Sequence, residues 1–269
     1  MDIKEFVQQR RDVFIAMRRD FHMYPEPAWL EYRSAAKVAD KLISLGYDVA
    51  LGSEVLDLNS RMGLPSDEVM KAAMDRAIDE GADPELVEKM GYGKTAIVAT
   101  MKFSDDGPVV AFRADMDSND VIESKASNHI PAKNGFRSRH EKAMHACGHD
   151  SHMAILLGAA AILQSIKDQL HGTVKLVFQP SEEEALFPGA QGIVDSGILD
   201  DVDEIYGLHV WPQLPVGTVG LKKGNLMAAS DHFFVHIKGK ATHGAEPHNG
   251  VDAIVAAANW IVNVESDRK

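Results

Sequence analysis

The stretch Val174-Lys175-Leu176-Val177-Phe178-Gln179-Pro180-Ser181-Glu182-Glu183-Glu184 decides the fold. Its first five residues form a short β-branched and apolar run, and Pro180 closes it, so it reads as a strand running into a turn. A helical stretch at about 150–168 precedes it and another at about 185–197 follows. Further strands are expected at Ala96–Met101, Val109–Arg113 and Ile205–Leu208. Short continuous apolar strands alternating with helices imply an α/β fold: a mostly parallel central sheet with helices on both faces. In such sheets chemistry collects beyond the carboxyl ends of the strands. There the sequence places Asp115 and Asp117, then Gln179 to Glu183, then His209.

Towards the amino end, Ile3, Phe6, Val7, Val13, Phe14 and Met17 recur at near-helical spacing until Pro25 and Pro27 intervene. A second helix is expected over residues 33–45, closed by Gly46. Residues 60–90 are rich in charge, Ala, Met and Glu, and read as one or two exposed helices outside the core. Beyond about 219, Phe233, Val235 and Ile237 alternate as a strand should. A Gly/His/Pro-rich loop over 239–250 and an Ala-rich helix over 251–264 follow. One strand and one helix cannot bury their own apolar faces. The chain therefore divides into a larger α/β part, 1–220, and a smaller α+β segment, 221–269, that is either incomplete or needs a partner.

Composition removes several functions. Forty acidic against 28 basic residues, a net charge of −12, argue against nucleic acid as partner. One cysteine in 269 residues excludes an internal disulfide framework. The longest apolar run, Met153 to Leu163, is too short to cross a bilayer, and the charged start lacks an export signal. A cytoplasmic protein without a membrane partner is expected. Eleven of the 12 histidines fall between His129 and His248, which points to a site in that half.

Four clusters carry candidate chemistry. In His145-Ala146-Cys147-Gly148-His149-Asp150-Ser151-His152, the glycine would let a thiolate and an imidazole converge on one metal ion. The same residues could instead be a helix cap (Asp150 or Ser151), a small buried hydrophobe (Cys147) and a solvent-facing histidine (His152). In Glu182-Glu183-Glu184 one carboxylate can bind metal while its neighbour moves protons, or the acids can favour a helix N-terminus. Asp115 and Asp117 share one face of an extended segment, either toward a site or in a surface turn. His209 closes an apolar strand, as a ligand or as a satisfied buried residue. Taken together at successive strand ends, Cys, His and carboxylate suit zinc or manganese and exclude a calcium cage. A metallohydrolase is the expected class.

These motifs resemble the M20 metallopeptidase family in its M20D amidohydrolase branch. The matching stretches are Arg18 to His22 with Pro25-Glu26, Arg113 to Asp117, His145 to Asp150, Phe178 to Glu183, Gly207 to His209, and Gly239 to His243 with Pro247-His248. The resemblance implies two divalent ions, manganese or zinc, with Cys147 as bridging thiolate and His149, Glu183 and His209 as further ligands. It implies Glu182 as the general base that takes a proton from the attacking water and passes it to the leaving amine. Asp117 would orient a ligand histidine, and Asp115 has no assigned role. His243, in a lid or dimerisation domain, would reach a neighbouring subunit's site and stabilise the oxyanion. The implied substrate is a small N-acyl or N-aroyl amino acid, and the implied assembly a homodimer or hetero-oligomer through the lid. Leu58 to Pro65 and the helical insertion after them resemble the aminobenzoyl-glutamate hydrolases of that branch. The alternatives are another N-acyl amino acid deacylase, a dipeptidase, or a non-catalytic binding or assembly subunit. Because family members continue past this length to supply a last histidine ligand, the chain is expected to be a fragment or a truncated product.

Overall fold

A computed structural model describes residues 2–184, 188–228 and 233–266. The chain separates into two compact units, Met1–Leu221 and Lys222–Lys269. The first carries five strands: β1 (Asp48–Leu51), β2 (Ile97–Lys102), β3 (Val109–Asp115), β4 (Thr173–Gln179) and β5 (Glu204–Gly207). Their order is β1-β2-β4-β3-β5. β3 runs parallel to both β4 and β5, while β1 and β2 pair antiparallel to each other and β2 antiparallel to β4. β2, β3, β4 and β5 are the four strands read from the sequence, but β2 runs antiparallel to β4, so only the β4-β3-β5 half is parallel. β1 was not foreseen, because Asp48–Leu51 is short and holds only three apolar residues.

The helices of this unit are α1 (Ile3–Gln9), α2 (Arg11–Met23), α3 (Tyr32–Ser44), α4 (Asp67–Asp79), α5 (Pro84–Met90), the single turn α6 (Ile130–Lys133), α7 (His149–Ser165) and α8 (Ala190–Asp195). The expected amino-terminal helix is two helices with a break at Arg10. The start of the helix expected over 185–197 lies outside the described residues at 185–187, and α8 supplies its later part.

β4 organises the core, since each residue from Val174 to Gln179 is buried. On one face Val174, Leu176 and Phe178 join Ile97, Ala99 and Ala114 against α3 and α7. On the other, Val177 joins Val98, Ala111, Trp29 and Ile193. Fully burying a Leu or Phe side chain contributes roughly 1.5–3 kcal/mol, so this strand is costly to disturb. Lys175, the one charge in the run, reaches out to the carbonyl of Ile198 at 2.6 Å and to Asp201. α4 and α5 are not the exposed elaboration expected for residues 60–90. Ala73, Ala77, Leu86, Val87 and Met90 belong to the main core, and only the opposite faces are charged. The start of α3 is fixed by Glu26, whose two oxygens accept the Arg33 and Ser34 amide hydrogens at 2.9 and 2.7 Å.

In the second unit, α9 (Ala253–Ser266) begins after Asp252, whose carboxylate accepts the Ile254 and Val255 amides. The strand expected at Phe233, Val235 and Ile237 does not form. Lys240 and Val251 make the one bridge among this unit's described residues, so the 233–237 run has no ladder to join.

Candidate metal centre

The register of the parallel strands builds the site. Asp115 pairs with Gln179, so Asp117 and Glu182–Glu183 leave the sheet at the same end. Gly207 pairs with Arg113, so His209 emerges at that end as well. α7 begins at His149, and Gly148 before it has φ 96°. A Cβ at position 148 would lie 2.5 Å from Val210 Cγ2. Glycine is required there twice over, for the left-handed turn and for the close approach of the segment carrying His209.

His149 is the hub. It joins Cys147 and His209, Asp115 and His152, and Glu182 and Glu183 in three groups, each with donor atoms within 4.8 Å of one another. Its Nδ1–H donates to the carbonyl of Asp117 at 2.8 Å, which turns Nε2 toward the carboxylates. Nε2 lies 3.6 Å from Asp115 Oδ2, 3.6 Å from Glu182 Oε2 and 3.5 Å from Glu183 Oε1. His209 donates from Nδ1 to the Val210 carbonyl at 2.6 Å, and its Nε2 lone pair faces Cys147 Sγ at 3.3 Å. The Asn119 amide oxygen accepts the backbone N–H of both Ala146 and Cys147 at 3.1 Å, holding the thiol toward the cluster. His243 belongs to the second unit, where its Nδ1 accepts the Ala245 amide at 3.2 Å.

Two observations test whether these residues fit a divalent cation. His149 Nε2 and Glu183 Oε1 are buried without a hydrogen-bond partner among the described residues, although both are strong polar groups. The field is also strongly negative. Burial opposes the charge on His149, yet Asp117, Asp115 and Glu183 outweigh it and push the imidazole up to about 9. Burial and then the Glu183, Glu182 and Asp115 carboxylates push the Cys147 thiol up to about 12. Burial raises Glu182 too, and Asp115, Glu183 and Asp117 add to it against the opposing pull of His149. Excess negative charge around aimed, unpartnered N and O donors, with the Cys147 sulfur beside them, is what a bound cation relieves, so the donor set fits.

Several of the local alternatives do not hold. His152 is buried, not solvent-facing: its Nδ1–H donates to Asp115 at 2.5 Å and its Nε2 accepts the Val210 amide at 3.0 Å. Asp115 and Asp117 are buried and aimed inward, not part of a surface turn. Gly148 takes the helix-cap position assigned to Asp150 or Ser151, Cys147 is half-buried, and His209 is exposed. Sequence reading missed Asn119 and the role of His152. The latter was legible, because His149 and His152 are three apart on one helix and share a face.

A second buried network braces α7 from α2. The two ring nitrogens of His22 donate to Asp150 at 2.7 Å and Glu123 at 3.0 Å, and Arg18 reaches Asp150 at 2.9 Å. Burial opposes the His22 charge, but the bonds to Asp150 and Glu123 prevail and raise its pKa above 6.5. That stabilisation is complete below about pH 6.5 and fades as pH rises through the higher folded value. Burial opposes the charge of Glu123 as well, but its bonds to His22, Ser138 and His129 lower it below 4.5, so its share is lost on acidification below that point. His22→Gln is expected to destabilise by about 1–3 kcal/mol at pH 5.5 and by clearly less at pH 9. Urea midpoints at the two pH values measure this, and equal losses would contradict it.

A parallel half-sheet that gathers thiol, imidazole and carboxylate donors beyond its strand ends defines an α/β protein with a mixed-donor metal centre. The chain belongs to peptidase family M20/M25/M40, whose model matches residues 111–267. It is 43% identical over 95% of its length to a p-aminobenzoyl-glutamate hydrolase chain of Escherichia coli (strain K12), and covers 58% of that protein. It is 41% identical, with the same two coverages, to the indole-3-acetyl-aspartic acid hydrolase of Enterobacter agglomerans. Among solved structures it resembles an aminobenzoyl-glutamate utilization protein from Klebsiella pneumoniae, at 37% identity and TM-score 0.68, over 81% of this chain and 48% of that one. It also resembles a dinuclear metal binding peptidase of the M20 family from Bacillus subtilis, at 31% identity and TM-score 0.59, with the same coverages. The chain thus spans 58% of the length of these two curated relatives. Among the described residues, no helix is long and apolar enough to cross a membrane.

Proposed function

We propose that the protein is a metal-dependent amidohydrolase that cleaves the amide of N-acyl or N-aroyl amino acids, p-aminobenzoyl-glutamate foremost. The observation that carries this reading is the convergence of Glu182 and Glu183 on the unpartnered Nε2 of buried His149. Cys147, His149, Glu183 and His209 would hold two divalent ions, manganese or zinc. Such ions supply Lewis acidity, lowering the pKa of water and polarising the scissile carbonyl.

The chain's own residues supply the proton movements. Glu182, whose side chain is 40% exposed, faces both the cluster and solvent. It would take a proton from the attacking water and deliver it to the leaving amine nitrogen. Asp117 would act through its neighbours: its carbonyl fixes the His149 tautomer, and its Oδ2 accepts the Glu183 amide at 2.8 Å. His243 would stabilise the developing oxyanion in a neighbouring subunit's site. On this reading residues 221–269 are part of a lid or dimerisation domain, and the protein assembles as a homodimer or hetero-oligomer in the cytoplasm. The names of the two curated relatives support the substrate class, since each describes an aromatic acyl group joined to an acidic amino acid.

Release of free glutamate from p-aminobenzoyl-glutamate, with manganese or zinc added, tests the reading. The expected result is metal-dependent release exceeding that from N-acetyl amino acids and dipeptides. Preference for either of those would replace the aroyl-glutamate reading with a deacylase or a dipeptidase.

A further inference from the structure

Among the described residues, two that are not glycine have positive φ: Trp29 at 62° and Ser181 at 52°. A side chain with a Cβ avoids that region, and such residues persist where the surroundings over-determine them. Both have the same restraint. The backbone N–H of Trp29 and that of Ser181 donate to one oxygen, Glu31 Oε1, at 3.0 and 2.8 Å. The other oxygen of Glu31 accepts the Thr95 hydroxyl at 2.6 Å. Glu31, Thr95 and Ser181 are fully buried and Trp29 nearly so.

Ser181 is the residue before Glu182. Its carbonyl accepts the Gly189 amide at 3.0 Å, and the Glu183 amide is held by Asp117, so the turn is fixed at both ends. The geometry points to Glu31 as a positioning residue: its carboxylate locks the left-handed turn at Ser181 and thereby aims Glu182 and Glu183 into the cluster. Glu31 is outside the donor groups and reaches the turn through the backbone N–H of Ser181, with Thr95 holding its other oxygen. A glutamine retains the Oε1 acceptor and offers an N–H to the Thr95 oxygen, so shape, not charge, is what the turn requires. The inference rests on the proposed roles of Glu182 and Glu183.

The full 269-residue chain provides two readouts. The first is Mn²⁺ affinity by titration calorimetry. The second is hydrogen exchange of the 181–184 segment in metal-free protein, which needs no metal. Glu31→Gln is expected to bind Mn²⁺ within about threefold of wild type, while Glu31→Asp withdraws the oxygens by about 1.5 Å and weakens binding by about 10–100-fold. Glu31→Ala should match the aspartate, and adding Ser181→Gly should restore most of the loss, because glycine adopts positive φ unaided. Exchange at 181–184 should rise at least tenfold in Glu31→Asp, with the core strands unchanged. Should the alanine variant fail to fold, Thr95→Val, which releases the second carboxylate oxygen, should show a smaller loss that Ser181→Gly again relieves.

Aspartate retaining affinity while glutamine loses it would overturn the inference in favour of a charge effect. So would a loss that Ser181→Gly leaves untouched, or exchange that rises throughout the core. A wild type that binds no Mn²⁺ removes the metal reading instead, and the exchange result then decides the role of Glu31 by itself.

Discussion

His149→Ala is expected to weaken Mn²⁺ or Zn²⁺ binding more than any other single substitution in the cluster, by about 10²-fold or more. Zinc binding by four-ligand sites is worth about 10–16 kcal/mol, or roughly 3 kcal/mol per ligand, which corresponds to ~10²-fold in affinity. His149 exceeds that average because it belongs to all three donor groups, whereas Cys147 and His209 belong to one. Its removal also releases the Asp117 carbonyl that sets its tautomer. Cys147→Ser and His209→Ala should each cost less. Titration calorimetry of the three variants ranks them. A His149 variant that binds as tightly as the His209 variant would remove the hub from the site.

What could be read in advance follows a physical division. β2, β3 and β4 were legible because a strand covered on both faces must be nearly continuously apolar, as Ala96–Met101, Val109–Arg113 and Val174–Phe178 are. β5 is exposed and was legible only as the short apolar run Ile205–Leu208. The ends of those strands then located Asp117, Glu182, Glu183 and His209. β1 was not legible, since it is four residues long and partly exposed, and nothing in the residue types of β2 marks its antiparallel direction. α4 and α5 were misjudged as peripheral because their outer faces carry the charge, while Ala73, Ala77 and Val87 are small or sparse in sequence yet fully packed. Glu31 was invisible for a different reason. Its bonds to the backbone N–H of Trp29 and Ser181, the second across 150 residues, leave no trace in residue type. Buried His22 was likewise read only as part of a motif, because its role depends on Asp150 and Glu123, which the fold alone brings together.

The adjacent carboxylates offer the sharpest separation of chemistry from binding. Glu182→Gln is expected to lower the rate of p-aminobenzoyl-glutamate hydrolysis by about 10²–10⁴-fold, the usual contribution of a general base, while leaving metal affinity within a few-fold. Glu183→Gln is expected to do the reverse in kind, weakening metal binding first and activity in consequence. The geometry supports the difference. Glu183 presents a buried oxygen with no hydrogen-bond partner among the described residues, and its backbone N–H is anchored to Asp117. Glu182 stands half-exposed beside it, able to meet water and to release a proton outward. Because glutamine matches glutamate in shape, neither change should disturb the left-handed turn at Ser181, so the two effects separate proton transfer from ligation. Glutamate release and metal titration on both variants measure them. If Glu182→Gln lost metal and Glu183→Gln retained it, the two roles would have to be exchanged. If both variants hydrolysed at the wild-type rate, the base would have to be sought elsewhere among the carboxylates around His149.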